Sequence, residues 1–180
     1  MIPIGISGKM QSGKSTLAEK LRDYIERETD SSVIVQPVID GLKEFVARAM
    51  FESKWWADNL KTAVMCSGTT GRECLQVLGV TLRQLNPDFT INLLQMELQS
   101  FDHLDYVLIP DIRYPNEADW VHSKGGVVIR LLRNPIDSED ETETALDGYK
   151  DFDLIIDNRD LEIVQTFAEA KAFLAERKVI

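Results

Sequence analysis

Ile2-Pro3-Ile4-Gly5-Ile6-Ser7-Gly8-Lys9-Met10-Gln11-Ser12-Gly13-Lys14-Ser15-Thr16-Leu17 is the stretch whose reading decides the fold. Ile2 to Ser7 is a short apolar run ending at glycine, which suits a buried strand. From Ser15 to Glu28, the residues Leu17, Leu21, Tyr24 and Ile25 recur at helical spacing with charges between them. The junction, Gly8 to Ser15, fits G-x-x-x-x-G-K-[ST] without a gap. Gly8 and Gly13 let the backbone turn tightly, so that successive N–H groups point inward at phosphate oxygens. The positive end of the helix starting near Lys14 adds to that attraction. Lys14 is then placed to reach the β- and γ-phosphates of ATP, and the Ser15 hydroxyl to ligate Mg2+. The ATP site on this reading comprises Gly8, Lys9, Gln11, Ser12, Gly13, Lys14, Ser15 and Thr16. Lys9 either touches phosphate or is solvated. Thr16 either bonds the α-phosphate or caps the helix.

Outward from this loop, strands and helices alternate. Val33–Val35, Tyr106–Ile109, Val127–Leu132 and Leu154–Ile156 are the further strands, the third of the chain closed by Pro110-Asp111. Helices are expected over Gly41–Phe51, Lys54–Met65, Arg72–Leu78, Ile91–Phe101, Asn116–Ser123 and Leu161–Arg177, and the polar, acidic run Asn134–Gly148 is expected to be a loop. That order predicts an α/β fold: a P-loop three-layer α/β/α arrangement with a five-stranded parallel sheet.

Composition narrows the function. With 180 residues, 44% of them apolar and 28% charged, the chain is long enough for one domain with a full core. Its formal net charge of -10 disfavours a duplex nucleic-acid partner, which calls for a basic face. A small anionic substrate remains compatible, because local Lys and Arg hold phosphate inside an acidic protein. Cys66 and Cys74 do not form a C-x-x-C pair and the two histidines, His103 and His122, are distant, so a zinc site is not expected. No apolar run approaches the ~18 residues that span a bilayer, and no signal peptide precedes the glycine motif, so the cytoplasm is the expected location.

Beyond the loop, Pro110-Asp111-Ile112-Arg113 follows the third strand, where open parallel sheets bind their ligands. Asp111 there either holds Mg2+ or caps the next turn. Arg113 either lies beside the phosphates or pairs with Glu117 on the helix that follows. Three further stretches are distinctive: Gly71-Arg72-Glu73-Cys74-Leu75-Gln76-Val77-Leu78-Gly79 followed by Arg83 and Pro87-Asp88; Asp111-Ile112-Arg113-Tyr114-Pro115-Asn116-Glu117-Ala118; and Thr142-Glu143-Thr144-Ala145-Leu146-Asp147 followed by Phe152-Asp153 and Ile156-Asp157-Asn158. With the Gly8–Ser15 loop and in this order, they resemble the deoxynucleoside monophosphate kinases of tailed bacteriophages, within the adenylate-kinase-like P-loop group. The resemblance spans nearly the whole chain. It departs from the family at Thr142, in a serine position, and at Phe89-Thr90, in place of a tryptophan.

The resemblance implies a single kinase domain over 1–180, nucleoside monophosphate kinase-like, with strand order 2-3-1-4-5. An acceptor-binding helical segment would occupy about 38–101 and a lid-like segment about 133–148. It implies transfer of the ATP γ-phosphoryl group to a (deoxy)nucleoside monophosphate for DNA precursor synthesis, with Mg2+ at Ser15 and Asp111. Lys14, Arg113, Arg72 and Asp111 would carry the chemistry. Asp40, Lys43, Arg72, Gln76, Arg113 and Glu143 would hold the acceptor, and Arg133, which with Arg130 borders the acidic run, would join the ATP site. Arg72, Arg83 and Lys43 also read as ordinary helix-surface charges. If phage-encoded, the protein would work in the cytoplasm of a bacterial host. A homodimer is left open. Competing readings are another small-molecule kinase of the phosphomevalonate or dephospho-coenzyme A type, a nucleotide-binding module without turnover, and a nucleic-acid-dependent ATPase.

Overall fold

In the computed structural model, residues 1–51, 70–101, 103–133 and 144–180 are described, with side chains for all but 48–51. The expected helix at 54–65, Trp55, Trp56, Cys66, Thr142, Glu143 and the acidic run from 134 to 143 lie outside these residues. The described chain divides into two compact units, Met1–Pro37 with Phe101–Ile180, and Val38–Ser100.

The first unit is built on β1 (Ile2–Gly8), whose residues from Pro3 onward are all buried. A strand with no solvent face belongs in the middle of a covered parallel sheet. It lies there: β2 (Val33–Val35), β3 (Tyr106–Ile112), β4 (Val127–Leu132) and β5 (Leu154–Asp157) pair with it in the order β2-β3-β1-β4-β5. All four pairings are parallel. The carboxyl ends of the strands therefore share one edge, with β1 flanked by β3 and β4.

Each face of the sheet carries helices. On one, α1 (Lys14–Glu28) buries Leu17, Ala18, Leu21 and Ile25, and packs on β2, β3 and the last helix of the chain (Ile163–Glu176). These apolar residues join Ile4, Ile6, Leu108, Ile129, Leu131, Ile156 and Leu174 in a continuous core. Pro115–Ser123 forms a helix that packs on β1 and β4. It comes so close that a Cβ on Gly5 would stand 3.3 Å from its Val121.

The expected end of β3 at Ile109 is corrected: the strand runs through Pro110 and Asp111 to Ile112. Proline cannot donate to a ladder, so well inside a strand it favours an irregularity. The register supplies one, since Gly5 faces Ile109 whereas Ser7 faces Ile112. The extra residue on β3 falls at Pro110–Asp111, a bulge of the kind that re-aims side chains beside a site.

The second unit contains α2 (Asp40–Phe51), α3 (Gly71–Leu85) and α4 (Phe89–Leu98). Leu42, Val46 and Leu75 form its core, with Ile39, Cys74, Leu78, Leu82, Phe89 and Leu93 around them. The helix expected over Arg72–Leu78 is longer, reaching Leu85, because Leu78 and Leu82 continue its apolar stripe. Its start is fixed by a capping box: Thr70 Oγ1 accepts from Glu73 N at 3.2 Å, and Glu73 Oε2 accepts from Thr70 N at 2.7 Å. We number the helices of the first unit that follow α5 (Pro115–Ser123) and α6 (Ile163–Glu176). No helix among the described residues is long and apolar enough to cross a membrane.

Candidate phosphate site

β1 delivers Gly8 to the carboxyl edge of the sheet, and α1 begins six residues later. Three residues of the turn have positive φ: Gly8 (154°), Gln11 (63°) and Gly13 (93°). Gly8 has a second constraint. A Cβ there would stand 2.9 Å from the Leu131 carbonyl of β4 and closer than 3.0 Å to Ser12 Oγ. Gly13 is the N-cap of α1, in the left-handed region and with no side chain to cap the helix. The positive end of a helix dipole at such a turn favours an anion.

The turn closes on itself. Ser12 N–H donates to Lys9 O at 3.1 Å. The Lys14 ammonium folds back over the loop and donates to Gly8 O and Lys9 O, both at 2.7 Å. Lys14 is 9% exposed, so its charge is largely withdrawn from water and held beside the N–H end of a helix. A cation so placed attracts phosphate more strongly than a solvated one. Ser15 and Thr16 are exposed on the first turn of α1, and Gln11 is exposed at the tip of the loop.

Asp111, within the β3 bulge, and Arg113, just beyond the strand, lie at the same edge. The Glu117 carboxylate serves the main chain at this edge. Glu117 is 2% exposed, and its Oε2 accepts from the backbone N–H groups of Arg113 (2.8 Å) and Tyr114 (3.2 Å). Glu117 therefore fixes the main chain carrying Arg113 and starts α5, as a carboxylate at a helix N-terminus should. The donors expected for Mg2+, the Ser15 hydroxyl and the Asp111 carboxylate, are hard oxygens. No group of three or more His, Cys, Asp or Glu residues able to hold a metal exists among the described residues. That donor set fits Mg2+, which commonly takes one or two protein oxygens and completes its shell with water and phosphate.

Arg130 lies in β4 and reaches Asp147. It is 7% exposed in β4, donating from Nη1 to Ser7 Oγ (2.9 Å) and from Nη2 to Asp147 Oδ1 (3.2 Å), with its guanidinium 5.5 Å from the Phe152 ring centre. Asp147 Oδ2 is also 3.4 Å from the ammonium of Lys9. Lys9 is thus paired with a carboxylate of the chain beside the loop. Arg133 is exposed just beyond β4. Ser7, Arg130, Asp147 and Asn158 are residues around the loop to which the motifs assign no role, although Asp147 and Asn158 lie within one of the distinctive stretches. Asn158 donates from Nδ2 to Ser12 O at 2.9 Å. The signal that could have found Arg130 and Asn158 is position: each lies toward the carboxyl end of a strand on the side of β1 away from β3.

The remaining expected residues belong to the helical unit. Asp40 and Lys43 sit in the first turn of α2, where the ammonium of Lys43 pairs with the Asp40 carboxylate. Arg72 and Gln76 lie one turn apart on α3, both exposed.

No protein-family model matches the chain. A protein of Acanthamoeba polyphaga mimivirus named "Putative deoxynucleotide monophosphate kinase" is 28% identical to it over 179 residues, covering 88% of this chain and 89% of that protein. Among solved structures, the hexameric APS kinase from Thiobacillus denitrificans aligns with a TM-score of 0.52 at 14% identity over 98% of this chain, which spans 29% of the length of that one. An APS kinase from Mycobacterium tuberculosis aligns at a TM-score of 0.45 and 16% identity, covering 97% of this chain and 96% of that one. The parallel sheet in its β2-β3-β1-β4-β5 order, the Gly8–Ser15 loop joining β1 to α1 and the likeness to the Thiobacillus structure establish that this chain has the P-loop kinase fold.

Proposed function

We propose that the chain transfers the γ-phosphoryl group of ATP to a deoxynucleoside monophosphate, giving the diphosphate. The observation that carries the phosphoryl-transfer part is the loop itself, with Lys14 drawn back to within 2.7 Å of two loop carbonyls at the start of α1. The acceptor class is supported by the sequence stretches around Arg72, Arg113 and Asp147, and by the name of the mimivirus relative.

On this reading the loop N–H groups and Lys14 bind the β- and γ-phosphates, with Arg133 assisting. Ser15 and Asp111 hold Mg2+, which when bound neutralises phosphate charge and orients the transferring group. Arg113, whose backbone is anchored by Glu117, and Arg72 neutralise the phosphates as they approach. Asp40, Lys43, Gln76 and Glu143 complete acceptor recognition. An oxygen of the acceptor monophosphate forms the new P–O bond, and the bond from the γ-phosphorus to the bridging oxygen breaks with its electron pair left on ADP. The acceptor phosphate has a second pKa of about 6, so it is already ionised near neutrality and needs no general base. The protein contributes positioning, charge neutralisation and exclusion of water.

The test is an ATP-to-ADP coupled assay with Mg2+ and each deoxynucleoside monophosphate in turn, with AMP, phosphomevalonate and dephospho-coenzyme A as comparators. Turnover with one or more deoxynucleotides is expected, and Lys14→Ala should lower it by orders of magnitude in a protein that stays folded. Silence with every nucleotide, despite measurable ATP binding, would discard the acceptor class.

A further inference from the structure

Asn158 stands immediately after β5 and is 2% exposed. Its backbone N–H donates to Leu132 O at 2.9 Å, which ties the residue to the end of β4. From this fixed root its side-chain Nδ2 donates to Ser12 O, also at 2.9 Å. The partner dictates the orientation of the amide, because only the nitrogen can face a carbonyl oxygen. The cost is visible: Asn158 Oδ1 is buried without a hydrogen-bond partner. An apolar side chain of similar size would remove this orphaned oxygen but leave Ser12 O without the amide donor.

The Ser12 carbonyl is one half of a peptide whose other half is the N–H of Gly13. The described residues contain no cis peptide, and in a planar trans peptide C=O and N–H point in opposite directions. Pinning the carbonyl toward β5 therefore sends the Gly13 N–H to the other side. The pin matters because Gly13, with φ of 93°, has no Cβ to restrict rotation of this peptide.

We propose that Asn158 is a positioning residue of the phosphate site, holding the Ser12–Gly13 peptide so that the Gly13 N–H faces a bound phosphate. The inference rests on the reading of Gly8–Ser15 as a nucleotide site and adds a residue from the far edge of the sheet to it. Asn158 touches no substrate. It acts through the one loop peptide that glycine leaves free to turn.

Calorimetric titration of MgATP, and of inorganic tripolyphosphate as a probe lacking base and sugar, tests this on wild type, Lys14→Ala, Asn158→Ala and Asn158→Asp. Loss of one well-aimed hydrogen bond should weaken both ligands about ten-fold in Asn158→Ala. Asn158→Asp, of equal shape but facing the carbonyl with an acceptor, should weaken them further. Parallel loss for the two ligands places the effect on the phosphates. In wild type, the Gly13 amide proton should move downfield when MgADP is added, a measurement that needs no variant to fold. A folded Asn158→Ala with wild-type affinity, or a Gly13 amide that does not respond while nucleotide binds, overturns this inference alone. Wild-type protein that binds neither ligand overturns the nucleotide-site reading as well.

Discussion

Gly8→Ala perturbs the loop at its tightest point, and its consequences can be worked out from two terms. The first is the backbone: φ of 154° lies outside the regions open to an L-residue, at a cost of about 1–3 kcal/mol. The second is the new methyl group, which would stand 2.9 Å from the Leu131 carbonyl and inside the 3.0 Å limit from Ser12 Oγ. Neither neighbour can retreat freely, since Leu131 O belongs to a central strand and Ser12 is 1% exposed. Overpacking of this kind costs about 1–3 kcal/mol more. The sum, about 2–6 kcal/mol, is a large share of the stability of an ordinary domain. Relief requires the turn to open, which would displace Gly8 O and with it the seat of Lys14. Urea unfolding followed by circular dichroism should show the stability loss, and MgATP titration a loss of affinity. A Gly8→Ala protein within ~0.5 kcal/mol of wild type that binds ATP normally would refute the close-packed loop.

Asp147→Asn separates two roles of one carboxylate. The variant should lose roughly 1–2 kcal/mol of stability, because Arg130 keeps its bond to Ser7 and Asp147 is half exposed, but bind MgATP a few-fold more tightly as Lys9 is released; weaker binding would show that Asp147 organises the loop. Gly125→Ala and Gly126→Ala should differ sharply in melting temperature. The first meets nothing within 4 Å and carries only the strain of its φ of 74°, about 1 kcal/mol, whereas a Cβ on Gly126 would overlap the Pro3 carbonyl; equal effects would contradict the close β1–β4 approach. Asp105 accepts from Ser32 N and Oγ, which holds its carboxyl below its usual value of 3.8. A depressed carboxylate stabilises the fold fully above its unfolded pKa and loses that contribution as pH falls through the folded one. Denaturant midpoints should therefore fall less steeply for Asp105→Asn than for wild type below about pH 4, and parallel slopes would refute the linkage.

Local chemistry made much of this protein legible without coordinates. The Gly8–Ser15 turn is specified by contiguous residues, and an apolar strand running into an amphipathic helix leaves few ways to fold it. The alternation of strands and helices similarly dictates a parallel sheet with covered faces. Where sequence reasoning stopped, the missing information was non-local. Proline at 110 read as a strand end, because only the pairing of β1 with β3 reveals the bulge that accommodates it. Glu117 read only as an alternative partner for the Arg113 side chain, and its hydrogen bonds to two backbone N–H groups emerge only in the folded chain. Arg130 carries no motif of its own, and the stretch that includes Asp147 and Asn158 does not say what either residue touches. Their roles arise because β4 and β5 return to the edge where β1 ends, bringing residues more than a hundred positions away in the chain against Ser7 and Ser12. The sequence by itself determined the loop and the class of sheet. The tertiary structure decided which distant side chains hold that loop in shape, because a hydrogen bond between strands depends on their order and register, which no single segment encodes.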